Sequence, residues 1–306
     1  MKKFVISSHG FDMGTGGIKV LHKLCHLLNE KGYDAYIAPI YLPCNWMYTY
    51  DKYNTKIVTT EILENLDDCI CVYPEYYGGN LLRDSGYNPK NIVRWMLAPP
   101  NPNTVASWAP YDSELWFWFI PQYITEYPNK DTDNLLFIFE PHREIFYDKK
   151  LPRSGSCYTI RKGELYINEH VENSYEDYKI HPDDSILIPS VGSPSNDMEY
   201  LANLFNTTER FYSYDTFTFL SVQSVMCNTD SIVIPAKPGP RSDPYVRSKE
   251  QYLSSAPLNR YIAYGIDDLP RARSIRNELS DHIDYIERET SQKVDEFVDK
   301  CFTYFR

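Results

Sequence analysis

The sequence predicts an α/β protein built from two parallel-sheet domains, and three observations lead there. The chain has 306 residues, more than one hydrophobic core usually spans, so length alone suggests two domains of roughly 150 residues. Apolar runs of strand length alternate with runs of helical period from the first residues onward, the pattern of strands joined by crossover helices. The alternation stops at residues 146–156, a polar stretch containing Pro and Gly, and then restarts. Such a composition suits a linker. The boundary is therefore placed at 150, with one domain over residues 1–150 and the other over 151–306.

Taken in order, residues 4–8 read as the first strand, and the loop from His9 to Gly17 leads into a helix over 18–31. Ile18, Leu21, Leu24, Cys25 and Leu28 recur there at helical spacing, and Gly32 closes it as a C-cap. Strands are expected over 33–40, 69–73, 91–97 and 114–120, with a crossover at 57–66. In the second half, strands over 157–161, 185–188, 210–213 and 231–234 alternate with helices over 198–206 and 216–227. The charged stretch from 269 to 306 reads as helix, with no internal repeat or low-complexity tract anywhere.

Composition bounds the function. Hydrophobic residues make up 42% and charged residues 24%, which is ordinary for a globular protein. A net charge of −11 offers no broad basic field, so no nucleic-acid partner is expected. The longest apolar runs, 115–120 and 135–139, fall far short of the ~20 residues of a membrane span. The apolar segment after Met1-Lys2-Lys3 is also too short for a signal peptide. The seven cysteines are odd in number and scattered. A disulfide framework is not expected, and a cytoplasmic location is. The 27 tyrosines suit either interdomain packing or a sugar-stacking surface, and composition leaves both open.

Three motifs carry chemistry. Gly14, Gly16 and Gly17 lie between the first strand and its helix, where backbone N–H groups and the helix dipole favour phosphate. A tight turn alone also accounts for them. They do not form G-x-G-x-x-G, because Lys19 stands at the final position, and no P-loop lysine follows. A dinucleotide dehydrogenase or epimerase is thereby disfavoured. Arg161 and Lys162 follow the first strand of the second domain, at a strand end where two cations can neutralise a diphosphate. A solvated charged turn is the alternative.

The third motif runs Tyr214-Asp215-Thr216-Phe217-Thr218 and on to Gln223. Asp215 is a plausible N-cap. Gln223 follows it by eight residues, a little over two turns, so acid and amide can meet a ligand lying along the helix. Backbone N–H groups near Phe217 and Thr218 would then receive phosphate.

Together these residues resemble family-4-like GT-B glycosyltransferases. The order is Gly16-Gly17, then Arg161-Lys162-Gly163, then Asp215 and Gln223 before Ser231-Ile232-Val233-Ile234-Pro235. The resemblance implies two Rossmann-like domains facing a cleft, a C-terminal helix crossing back to the first domain, and sugar transfer from a nucleoside diphosphate sugar to a glycan or other hydroxyl acceptor. It implies a hexosyl- or deoxyhexosyltransferase with no metal and no cofactor beyond its donor. In that family an E-x7-E element contacts donor sugar and ribose. Asp215 and Gln223 stand at its two positions, a shorter acid and a neutral amide, which keeps a non-catalytic sugar- or nucleotide-binding module as the alternative. Arg161 or Lys162 falls on the family's diphosphate position, and the Gly16-Gly17 loop on its closing loop.

For the acceptor's proton, His9, Asp12 and Glu75 occupy strand-end positions suited to a base. Each also suits a loop-stabilising hydrogen bond. Asp131-Thr132-Asp133 matches a metal-binding D-x-D but reads better as an acidic turn beside Pro128. His22 and His26 share a helix face without the glutamate of H-E-x-x-H, so no metal site is expected.

Overall fold

The computed structural model describes residues 2–40, 47–75, 81–98, 113–126, 131, 133–161, 179–190, 192, 194, 196–235 and 248–306. The chain divides into two compact units, Met1–Glu140 with Glu287–Arg306, and Pro141–Ile286.

The first unit holds a six-stranded parallel sheet. Its strands are β1 (Lys3–Ser8), β2 (Ala35–Pro39), β3 (Lys56–Ile57), β4 (Cys69–Pro74), β5 (Asn91–Met96) and β6 (Leu115–Trp118), in the order β3-β2-β1-β4-β5-β6. Five consecutive residues of β1 and all six of β4 are buried, as expected of strands covered on both faces. Helix α1 (Gly16–Glu30) packs Val20, Leu21, Leu24, Cys25 and Leu28 inward. It ends in a Schellman motif: Tyr33 N–H donates to Leu28 O and Gly32 N–H to Asn29 O, both at 3.0 Å. Gly32 stands at φ +81°, the left-handed conformation this cap requires. The short helices α2 (Thr60–Glu64) and α3 (Leu81–Asp84) complete the crossovers.

The second unit holds a five-stranded parallel sheet of β7 (Ser156–Thr159), β8 (Ile186–Leu187), β9 (Arg210–Ser213), β10 (Asp230–Val233) and β11 (Ala263–Tyr264), ordered β11-β10-β9-β7-β8. Around it lie α4 (Met198–Thr207), α5 (Phe219–Met226), α6 (Lys249–Ser255) and α7 (Leu269–Ser274). The expected terminal helix is interrupted after Ser274 and resumes as α8 (Leu279–Tyr304). From Glu287 onward α8 belongs to the first unit. There Val294, Phe297, Val298 and Cys301 are fully buried, and Phe297 meets Phe4 at 5.8 Å and Phe117 at 4.8 Å between ring centroids. The expected return of the terminal helix to the first domain is observed.

The domain boundary differs from the expected one. Residues 146–156 lie within the second unit and are pinned to the end of α4. Asn206 accepts from Lys149 N–H at 2.7 Å and donates to Tyr147 O at 3.0 Å. Arg153 donates to Phe205 O at 2.8 Å and to Asp148 at 3.0 Å, and Phe146 is 1% exposed. The polar residues that suggested a solvated linker instead satisfy the carbonyls of a helix end.

Six cysteines, Cys25, Cys69, Cys71, Cys157, Cys227 and Cys301, are free and buried, and Cys44 lies outside the described residues. Burial pushes the thiols of Cys25, Cys157 and Cys227 up to about 12, so these thiols stay protonated and inert. Among the described residues no helix is long and apolar enough to cross a membrane.

Candidate functional site

In an open parallel sheet, ligands collect beyond the carboxyl ends of the strands where the strand order reverses. The first unit reverses between β1 and β4, the second between β7 and β9. His9 and Glu75 directly follow strands β1 and β4 beside the first reversal, Arg161 and Asp215 follow β7 and β9 beside the second, and Gln223 lies further on, within α5.

In the second unit, Thr159 of β7 pairs with Ser213 of β9, and Tyr214 N–H donates to Thr159 O at 3.0 Å. Arg161 and Asp215 therefore each stand two residues past a paired strand end. Arg161 has φ 44°, an uncommon left-handed conformation for a residue with a side chain. Such backbone strain collects at ligand-binding places. Lys162 lies outside the described residues.

Asp215 is 4% exposed. Its Oδ1 accepts from Phe217 N–H at 3.0 Å, and Ser213 Oγ donates to its carbonyl at 2.7 Å. This turn delays the helix. The N-cap is Thr218, whose Oγ1 accepts from Leu220 N–H at 3.3 Å, and α5 starts three residues later than expected. Two expectations change as a result. Asp215 shapes the loop ahead of the helix and does not cap it. The Phe217 N–H, expected to receive phosphate, is taken by Asp215, whereas the Thr218 N–H has no partner among the described residues. Gln223 lies five residues past the cap, a rise of about 7.5 Å, and its 4%-exposed side chain makes no hydrogen bond among the described residues.

Tyr214 is held from the other side. Its hydroxyl accepts from Ile180 N–H at 3.1 Å and meets His181 Nδ1 at 2.9 Å. Burial, opposed by backbone N–H groups of Ile180 and His181, raises the Tyr214 phenol above its ordinary range. His181 stacks on Tyr158 at 3.7 Å and is 6% exposed. No motif pointed to His181, because its segment reads as a charged connection and its partners come from β7 and β9.

In the first unit, Asp12 Oδ1 accepts from Gly14 N–H at 3.0 Å and Oδ2 from Thr15 Oγ1. Thr15 is the cap residue of α1, so the Asp12 carboxylate builds the turn that launches Gly16 and Gly17. His9 offers its carbonyl to His22 Nε2 at 3.0 Å. Burial lowers the His22 imidazole below its ordinary range, and this neutral ring is a donor at Nε2. His26 Nδ1 accepts from Asn54 N–H at 3.0 Å. The two histidines are thus engaged in holding loops. Glu75 Oε2 accepts from Leu97 N–H at 2.9 Å, and a Cβ on Gly17 would lie 3.7 Å from the Leu97 side chain. Leu97 therefore links the carboxylate of Glu75 to the first turn of α1.

Asp131 Oδ1 accepts from Asp133 N–H at 2.9 Å, the self-closing acidic turn favoured over a metal site, with Thr132 outside the described residues. Among the described residues no cluster of three metal-ligating side chains occurs.

No protein-family model and no curated protein sequence matches the chain. Solved structures do match in fold. Sucrose-phosphate synthase from Thermosynechococcus elongatus aligns over 97% of this chain and 94% of its own, with 12% identity and a TM-score of 0.50. T4 phage BGT, solved in complex with UDP and Mn2+, aligns over 98% and 99%, with 10% identity and a TM-score of 0.50. The chain has the α/β fold of GT-B glycosyltransferases, with a parallel sheet in each unit.

Proposed function

We propose that the protein is a glycosyltransferase that takes a sugar from a nucleoside diphosphate sugar and passes it to a glycan or other hydroxyl acceptor. The observation that carries this reading is that Arg161 and Asp215 each follow by two residues the paired ends of β7 and β9, where the strand order reverses, ahead of α5, whose Thr218 N–H has no partner among the described residues. Arg161, with Lys162, neutralises the diphosphate, and the Thr218 N–H adds the helix-terminus contribution. Asp215 and Gln223 take hydroxyls of the donor. Charge on the departing diphosphate is stabilised by these fixed groups. The same role is filled by a metal in other transferases, and this chain is proposed to work without one. The likeness to T4 phage BGT, whose structure holds UDP, supports a nucleotide donor.

Acceptor-side chemistry falls to the first unit, with Glu75 the foremost base and His9 next. Asp12 has a loop-building role. A hexosyl or deoxyhexosyl donor, a family-4-like relationship and a cytoplasmic location belong to the same proposal.

Thermal shift with UDP-, GDP- and dTDP-glucose tests it, since a ligand of the native state raises Tm. Stabilisation by at least one is expected; stabilisation by none, together with stabilisation by NAD, would refute it. The replacement of a second acid by Gln223 favours one rival, a binding module without transfer. Release of free nucleoside diphosphate on adding acceptor separates the two.

A further inference from the structure

His181 reaches the proposed donor site through one neighbour. It is 6% exposed and lies over the face of β7 and β9 that carries Tyr158, Tyr212 and Tyr214. Its ring stacks on Tyr158 at 3.7 Å, meets Tyr214 edge-on at 5.6 Å and lies 6.3 Å from Tyr212. These contacts fix the plane of the imidazole, and its Nδ1 stands 2.9 Å from the Tyr214 hydroxyl.

Tyr214 stands between the paired end of β9 and the Asp215 turn. Its backbone N–H donates to Thr159 O at 3.0 Å, where the chain leaves β7 toward Arg161. Its hydroxyl accepts from Ile180 N–H at 3.1 Å, where the chain comes back toward β8. The turn closes on itself through Ser213 and Asp215. Tyr214 ties that closed turn to both ends of the connection between β7 and β8, with its main chain at one end and its side chain at the other.

A phenol has one hydrogen to give, and a neutral imidazole has one acceptor nitrogen and one donor nitrogen. The Tyr214 oxygen already receives the Ile180 N–H, so its own hydrogen is directed at Nδ1. We infer that His181 is a positioning residue for donor binding: neutral, with its proton on Nε2, it accepts the Tyr214 phenolic hydrogen on Nδ1 and so holds the Asp215 turn beside the connection that begins with Arg161. This deepens the nucleotide-sugar reading and rests on it. Losing that hold lowers the share of molecules with Asp215 in place, and apparent affinity falls by the same factor.

Two substitutions in the full-length protein remove the ring and the acceptor one at a time. His181→Phe keeps a ring against Tyr158 and removes the acceptor. His181→Asn removes the ring but keeps an acceptor, because Oδ1 is as many bonds from Cα as Nδ1. Calorimetry with UDP-, GDP- and dTDP-glucose, well below each protein's Tm, should show the preferred ligand bound about tenfold more weakly by His181→Phe, the size of one lost hydrogen bond. His181→Asn should stay within about threefold of wild type. A histidine that only packs gives the reverse order, so that order, or equal losses in both variants, overturns the inference. Unchanged affinity in His181→Phe also overturns it, whatever happens to Tm, and leaves the transferase reading standing. Nitrogen-15 NMR of the wild type reads the tautomer without any variant, with the His181 ring identified by its contact with Tyr158. At neutral pH an unprotonated Nδ1 and a protonated Nε2 are expected, and a protonated Nδ1 overturns the inference. A wild type that binds none of the three conjugates overturns both this inference and the donor reading.

Discussion

The Phe217 N–H donates to Asp215 Oδ1 at 3.0 Å, so one carboxylate both shapes the turn before α5 and stands where the donor is proposed to bind. The two roles separate by substitution. Asp215→Asn keeps the side-chain oxygen that Phe217 needs, and its stability should stay within about 0.5 kcal/mol of wild type. Asp215→Ala should lose about 1 kcal/mol more in urea unfolding. Both should bind donor more weakly in calorimetry, and an Asn variant with unchanged affinity would remove Asp215 from the site.

Arg161 combines a strained backbone with a proposed phosphate contact. Arg161→Ala retains the φ of 44° and should weaken donor binding about tenfold or more, the scale of a charge-assisted hydrogen bond. Arg161→Gly should weaken binding equally while raising Tm, because glycine accepts that conformation without strain. Unchanged affinity in either variant would exclude the phosphate role.

Part of this architecture is legible in the sequence. Gly32 predicts the glycine cap that ends α1, and the loop after β1 announces a strand-to-helix turn, because both signals are local. Residues 146–156 mislead for the opposite reason. Arg153 and Asp148 look like solvent-facing charges until α4, some 50 residues on, presents its carbonyls. Thr218 and Asp215 are both good caps, and only the turn built on Ser213 decides between them. The candidate site residues stand mostly past strand ends, which alternation locates well. His181 carries no local signal, since it depends on partners from other elements.

The Tyr214 hydroxyl serves Ile180 and His181 together. Tyr214→Phe should therefore cost about 1–3 kcal/mol by leaving buried polar groups without a partner. Chemical denaturation measures this, and a loss below 0.5 kcal/mol, an order-of-magnitude threshold, would contradict the geometry.

His22 predicts a pH response. Its pKa is lowered by burial from the ordinary 6.5, so the unfolded chain binds its proton more readily than the folded one. The resulting stability is present above the unfolded value and is lost as pH falls through the lowered folded value. Urea midpoints from pH 8 to 5 should decline on the acid side, and His22→Gln should show a shallower decline. Parallel profiles would show that other groups carry the effect.

Transfer activity should survive EDTA, since Arg161, Lys162 and the α5 terminus are proposed to stabilise the diphosphate. Loss restored by Mn2+ would bring Asp131 and Asp133 back as ligand candidates.

The most direct measurement is a crystal structure of the protein with its preferred nucleoside diphosphate sugar. The account predicts the diphosphate beyond the carboxyl ends of β7 and β9, beside Arg161 and the Thr218 N–H, with a donor hydroxyl on Asp215. A nucleotide seated away from that reversal, with Arg161 and Asp215 untouched, would contradict it.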